Sequence, residues 1–115
     1  MSIDADLKTV LTAVTPRVFP GFAPVTTKRP YVTYQQIGGE VINPLDGAAP
    51  GKRNAEFQID VWSDTHAQAR LICEQIEDAM RAATEFTARP TRAPIGAYEA
   101  DVPVYGMHQD FSVWY

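Results

Sequence analysis

Few side chains in this sequence have the types and spacing that chemistry requires. There is one cysteine, Cys73, and there are two histidines, His66 and His108. A zinc site draws several Cys and His ligands at short spacing, so no metal is expected. Phosphate cradles come from GxGxxG or GxxxxGK[ST] runs between a strand and a helix. Neither run is present, since Gly51-Lys52 lacks both the upstream glycine and a following Ser or Thr. Ser63, Asp64 and His66 are close in sequence, but a catalytic triad is a matter of spatial roles and an oxyanion hole. They read better as the start of a helix. Glu56 and Asp60 share one face of a strand, about 7 Å apart by the two-residue repeat, which makes a carboxylate pair formally possible. Solvated strand acids are the commoner reading. Cys73, flanked by apolar residues, is expected to be a buried, inert thiol, and His108 to be a surface or strand-end histidine. The expectation is a protein without cofactor that is not an enzyme.

The elements that would position these residues follow from periodicity. Ile3, Leu7, Val10, Leu11 and Val14 form a helical stripe, with Ser2 or Asp4 as cap and Pro16 as stop. Residues 15–30 contain Pro16, Pro20, Gly21, Pro24 and Pro30. They read as an ordered connection whose Phe19 and Phe22 pack on the core. A strand is predicted over 31–37, and a second over 56–62, where Phe57, Ile59 and Val61 alternate with Glu56, Gln58 and Asp60. Between them lies the 38–53 loop, of a length that is uncommon and often functional. Thr65-His66-Ala67-Gln68 fits a capping box. It opens a helix whose apolar face is Ala69, Ile72, Cys73, Ile76, Ala79, Met80 and Ala83, with Arg70–Glu74 and Glu77–Arg81 as i,i+4 pairs. A proline-rich connection at 89–94 precedes a weak strand over 98–104, where Pro103 suggests an edge, and a terminal strand over 109–115. The order helix, strand, strand, helix, strand, strand (α-β-β-α-β-β) predicts an α+β fold. Its sheet would be mainly antiparallel and four-stranded, with both helices on one face.

Composition narrows the function. The 115 residues suit one domain, spanning 1–115. A formal charge of −4 argues against a binder that neutralises nucleic-acid phosphates. A lone cysteine fits a reducing compartment such as the cytosol, and neither a signal peptide nor a membrane span is expected. Charge is uneven: Glu56, Asp60, Asp64, Glu74, Glu77 and Asp78 face only Arg70 over 54–80, whereas Arg81, Arg89 and Arg92 face only Glu85 over 81–94. Lys28-Arg29 and Lys52-Arg53 add basic pairs in predicted loops. Acidic elements beside basic loops are what head-to-tail subunit contacts use, although a merely solvated surface accounts for the pattern as well. Tyr31, Tyr34, Trp62, Trp114 and Tyr115 fall on or beside strands and cannot all face one core, so some are candidate interface anchors.

Pro30-Tyr31-Val32-Thr33-Tyr34-Gln35-Gln36-Ile37-Gly38-Gly39, followed by Phe57-Gln58-Ile59-Asp60-Val61-Trp62-Ser63 leading into an Ala-rich helix, resembles the tail completion proteins of long-tailed phages and prophages. These are small head–tail joining or tail terminator proteins. The resemblance covers nearly the whole chain and rests on the succession of structural motifs. It implies a subunit of a hexameric ring that caps the tail tube and docks the tail to the connector of the filled capsid, with DNA sliding through an acidic lumen. Assembly would take place in the bacterial host cytoplasm and end at the head–tail junction of the virion. Candidate interface residues are then Glu40, Asn43, Asp46, Lys52 and Arg53 in the long loop, Asp60, Glu74 and Asp78 on acidic elements, Arg89 and Arg92, and Trp114. Two other readings are a monomeric binding or regulatory module that uses the aromatic strand face, and a hydrolase needing a pocket the sequence does not advertise.

Overall fold

The computed structural model describes residues 2–47 and 51–115. Its elements are α1 (Ile3–Thr12), β1 (Val18–Pro20), β2 (Tyr31–Gly38), β3 (Asn54–Ser63), α2 (His66–Ala82), β4 (Thr87–Pro90), β5 (Ile95–Glu99) and β6 (Val104–Trp114). The α+β class holds, and both helices cover one face of the sheet through a common core. The expected four antiparallel strands are corrected to six in a mixed sheet, and the order becomes α-β-β-β-α-β-β-β.

The sheet runs β1-β2-β3-β6-β4, with β5 also paired to β6. Only β1–β2 is parallel, with Val18 opposite Val32. β6 is long enough to carry two partners in line along its outer edge: β5 along Val104–His108 and β4 along Phe111–Trp114. The strands that sequence reasoning missed, β1 and β4, have three and four residues and end on Pro20 and Pro90. Such segments are too short to show alternation, and a proline is tolerated there because an edge strand need not donate on both sides. The weak strand predicted over 98–104 is displaced to β5, and Pro103 lies in the turn before β6. β6 itself starts at Val104, well before Gln109, so His108 is inside a strand and not in front of one.

β3 alternates as its sequence dictates. Ala55, Phe57, Ile59 and Val61 are buried, opposite Val113, Phe111, Gln109 and Met107 of β6, while Val32 and Tyr34 of β2 complete the layer. α2 lays Ala69, Ile72, Cys73, Ile76 and Met80 on this layer, and α1 adds Leu7, Val10 and Leu11. Burying each large aliphatic or aromatic side chain contributes about 1.5–3 kcal/mol. Ser2 caps α1, its Oγ accepting from Ala5 N at 3.1 Å. The helix ends at Thr12, two residues before the predicted Val14. Phe22 does not pack on the core as expected: it is exposed, and Phe19 is half-buried on the other side of the sheet, opposite Thr33. No helix among the described residues is long and apolar enough to cross a membrane.

Two glycines are required by close approaches. A Cβ on Gly106 would stand 2.8 Å from the Trp62 ring, which lies across that strand position on the helix-free face. At Gly39, where the chain leaves β2, φ is +148° and a Cβ would meet Asn54 O at 2.5 Å. Gly39→Ala is therefore expected to lower unfolding stability by about 1–3 kcal/mol. Gly38→Ala, at an open position with ordinary φ, is expected to stay within about 0.5 kcal/mol of wild type. Denaturant titration of the two variants checks the contrast.

Candidate functional site

The residues closest to chemistry are tied into structure. Ser63 is buried, its hydroxyl donating to the Gln68 carboxamide and accepting from Thr65 N at 3.4 Å. Asp64 pairs with Arg29 at 2.6 Å, and His66 stands edge-on to Tyr105 with ring centroids 6.2 Å apart. These three groups serve the start of α2. The capping box is only half of the expected one: Thr65 Oγ1 accepts from Gln68 N at 3.2 Å, but the Gln68 side chain turns to Ser63 instead of back to the cap. Cys73 is buried, and desolvation, reinforced by Glu77 and Glu74, pushes its thiol up to about 11. Its Sγ lies 3.9 Å from Oε1 of Gln109, a core glutamine whose Nε2 also donates to Glu77 (2.8 Å) and to the Arg92 carbonyl (3.0 Å). This buried polar link between α2, β6 and the 91–94 turn was not legible in the sequence.

On the helix-free face the polar half of β3 meets that of β6. Glu56 and Asp60 are not 7 Å apart as expected. They are two repeats apart, roughly 13 Å, with Gln58 between them donating to both Asp60 oxygens at 3.1 and 3.3 Å. Asp60 is paired in register with His108, whose Nδ1 lies 3.9 Å from its Oδ1. Burial raises the Asp60 carboxyl above the usual carboxylate range, with Asp110 adding to the rise and Gln58 and His108 opposing it. Asp110 is itself buried, with Oδ2 3.6 Å from Arg92 Nε. Of the residues proposed for contacts, this face holds Asp60, Arg89 (opposite Ser112) and Trp114 (opposite Asn54), while Arg92 reaches it from the turn after β4. Glu74 and Asp78 lie on the exposed side of α2, across the sheet from Asp60. The structure does not bring these acids together, so they serve separate surfaces.

The remaining contact candidates sit at one end of the strands, on an arm formed by residues 39–47 and 51–53; residues 48–50 of the 38–53 loop lie outside the described residues. Glu40, Asn43, Asp46, Lys52 and Arg53 are all exposed there. The arm is anchored at its base: Glu40 N donates to Asn54 Oδ1 at 2.9 Å, and Arg53 exchanges backbone bonds with Tyr115 at 2.7 and 2.9 Å. Sequence reasoning passed over the arm's aliphatics. Leu45 is as exposed as in an extended chain, Val41 is 82% exposed, and Ile37 and Ile42 are also exposed. Three aliphatics among Gly, Pro, Asn and Asp in 38–47 were the signal available. At the other end of the strands, Val25, Tyr31, Trp62, Val102 and Val104, together with the charged Arg29 and Glu99, line an open groove of about 330 Å³.

Among the described residues no group of three or more His, Cys, Asp or Glu is placed to hold a metal. Exposed aliphatics are found on the arm (Val41, Leu45) and at the groove (Val25, Val102). Residues 2–115 match the model of the family described as tail completion protein gp17, and the chain belongs to that family. It is a structural protein of phage-tail assembly. The fold is similar to that of a chain in a solved structure titled "Virion of native gene transfer agent (GTA) particle", with a TM-score of 0.75, 16% identity, and coverage of 98% of this chain and 93% of that one. A second solved chain is similar at a TM-score of 0.53 and 13% identity, covering 96% of this chain and 89% of its own length. No curated protein matches the sequence.

Two outcomes follow from the geometry. The raised Asp60 carboxyl binds its proton more tightly folded than unfolded, so its ionisation subtracts stability as pH rises through the folded pKa. Asp60→Asn is expected to be more stable than wild type near pH 7, with the difference shrinking as pH falls to where wild type is protonated. Thermal melts at a series of pH values check the sign. Cys73 is expected to resist alkylation at pH 8 in the native protein and to react at once in denaturant, as mass spectrometry reads directly.

Proposed function

We propose that this chain, acting over 1–115 as one unit, is a ring-forming tail completion or terminator subunit. Six copies would cap the polymerised tail tube and join it to the connector of the filled capsid. The family match over residues 2–115 carries this reading. It is supported by the virion chain that shares the architecture over nearly its whole length. Partners are then further copies of this chain, the tail tube protein and the head–tail connector protein. Assembly takes place in the bacterial host cytoplasm, and the finished position is the head–tail junction of the virion.

The role asks for contacts and a passage, not for a reaction. Exposed aliphatics on the arm and the groove of mixed lining at the far end suit contacts between subunits or with the tail tube. The net charge of −4 suits a DNA passage, because phosphates that meet no basic surface release no counterions and are not held. Glu74 and Asp78 on α2, or Asp60 on the helix-free face, are the acids available to line such a lumen. Interface duty for Arg89, Arg92 and Trp114 belongs to the same reading.

Purified chain, alone or bound to tails, is expected to give closed rings with a central hole by native mass measurement and electron microscopy. Particles made without it are expected to accumulate as separate filled heads and tails that join when it is added. Normal yields of infectious particles without the chain would refute the role. Replacing 40–53 with a short Gly-Ser link, or introducing Asp78→Lys, is expected to cut completion by roughly tenfold or more, the equivalent of about 1.4 kcal/mol of contact energy. Normal completion by both variants would remove these surfaces from the interface.

A further inference from the structure

We infer that β5 is an open sheet edge that receives an extended segment of a tail protein as a further strand. This rests on the proposed role at the tail end and goes beyond it by naming the surface and the form of the partner. The main-chain pattern carries it. Thr91 N donates to the Asp110 carbonyl at 2.9 Å, so Asp110 turns its main-chain groups toward the outer side of β6. Main-chain groups along a strand alternate in direction. His108 and Gly106 therefore face the same way, toward Ile95 and Ala97, their partners in register. Gly96 and Tyr98 then direct their N–H and C=O groups away from β6. No described strand lies on that side, and every residue of β5 except Ala97 is exposed.

The other edges of the sheet are guarded. β1 has three residues and ends on Pro20, and β4 has four and ends on Arg89-Pro90. Where β2 runs on past β1, a bulge interrupts it between Gln36 and Gly38, and Gln36 Nε2 donates back to the Gly38 carbonyl at 3.2 Å. Prolines, basic side chains and bulges are devices that keep an edge from pairing. β5 has none of them: its sequence is Ile-Gly-Ala-Tyr-Glu, in unbroken register with β6.

Gly96 adds a second observation. Its φ is ordinary, and a Cβ there would meet Met107 Sδ at 3.5 Å and His66 Cε1 at 4.0 Å, both normal contacts. Nothing among the described residues requires a glycine at this position. A strand glycine of that kind suits a place where another backbone comes close.

Unpaired main-chain groups in a row are matched by an extended, proline-free segment, the strand-addition mode of peptide recognition. It would run beside the five residues of β5, between Pro94 and the turn at Ala100. Its side chains would flank Ile95 on one sheet face. On the other they would flank Tyr98, whose ring centroid is 4.8 Å from that of Tyr105. Ile95 and Tyr98 are both exposed, so apolar residues suit the segment on both faces. Glu99 closes β5 and Asp101 follows in the turn, which favours a Lys or Arg at that end of the segment. A second copy of this chain is a poor source. Its other edges are guarded, and β5 against β5 is a twofold contact that stops at a dimer.

The test is amide hydrogen exchange on the wild-type chain, alone and bound to purified tails made without it. The outward amides of Gly96 and Tyr98 are expected to exchange fast in the free chain and to slow by about tenfold or more on tails. Gly96→Pro removes one outward N–H and leaves the β5–β6 ladder intact. It is expected to fold, to self-associate as wild type does, and to bind tails about tenfold less tightly. Ala97→Pro, which removes an inward donor, is expected to lower stability instead. Should Gly96→Pro fail to fold, the exchange measurement on wild type decides alone. Tail binding without protection over 95–99, or undiminished by a folded Gly96→Pro, overturns the acceptor edge and leaves the tail role standing. Protection that appears when copies associate without tails assigns the edge to a second copy and overturns the partner named here. A chain that does not bind tails overturns both readings.

Discussion

β3 is hydrogen-bonded along both edges, to β2 on one side and β6 on the other, and the rest of the molecule depends on its register. Side chains of a strand alternate with a period of two, so a slip of one residue would exchange its faces. In the native register Ala55, Phe57, Ile59 and Val61 meet the helices, and Glu56, Gln58, Asp60 and Trp62 meet solvent or the loops over the helix-free face. The slipped register would bury two carboxylates and expose two aliphatics and a phenylalanine. That cost exceeds what any single loop or cap contributes, and it explains why one strand organises both surfaces. The same constraint places Asp60 beside His108 and lays Trp62 on Gly106. The polar face is thus a consequence of core packing.

The features legible in the sequence were those with a long period. α2 has 17 residues and β3 has 10, enough for their patterns to repeat several times, and the terminal strand was found by the same means. β1 and β4 were lost because three or four residues ending in proline carry no period. Their pairing is decided by neighbours, Val32 and Val113, that lie far away in sequence. The start of β6 was lost because Gln109, a polar residue on the core face, breaks the apolar alternation between Met107 and Phe111. Among the candidate site residues, the charged positions of the arm were legible because Gly, Pro, Asn and Asp announce a loop. Its aliphatics were passed over, since an isolated Leu or Val in a loop is ordinary and only coordinates show it pointing nowhere. The Gln109 link to Cys73, Glu77 and Arg92 was out of reach for another reason: a hydrogen-bonded glutamine on a core position has the sequence appearance of a solvated one.

This division separates what holds the chain together from what it presents. Arg92 illustrates the boundary. As a loop arginine it suggested a contact with another chain, yet its side chain lies against the nearly buried Asp110 and its carbonyl accepts from Gln109. Truncating such a residue would remove the cation beside Asp110 Oδ2, in a nearly buried carboxylate whose Oδ1 has no hydrogen-bond partner among the described residues, so loss of assembly in that variant would first report loss of local structure. Glu40, Val41, Leu45 and Val25 make the opposite case. They are exposed, they add little to folding, and their aliphatic members would cost solubility if no partner covered them.

The proposed ring also bears on why such a protein need not aggregate. If a single contact between neighbours buried less surface than a stable complex needs, a free pair of subunits would dissociate readily. In a closed ring each copy would engage two neighbours, and the last contact would be intramolecular, with an effective concentration far above that of free chains. A tail end that gathers several copies has the same effect before closure. Weak individual contacts with strong closure would keep the subunit monomeric until a ring can be completed, which suits a part added last to a growing tail.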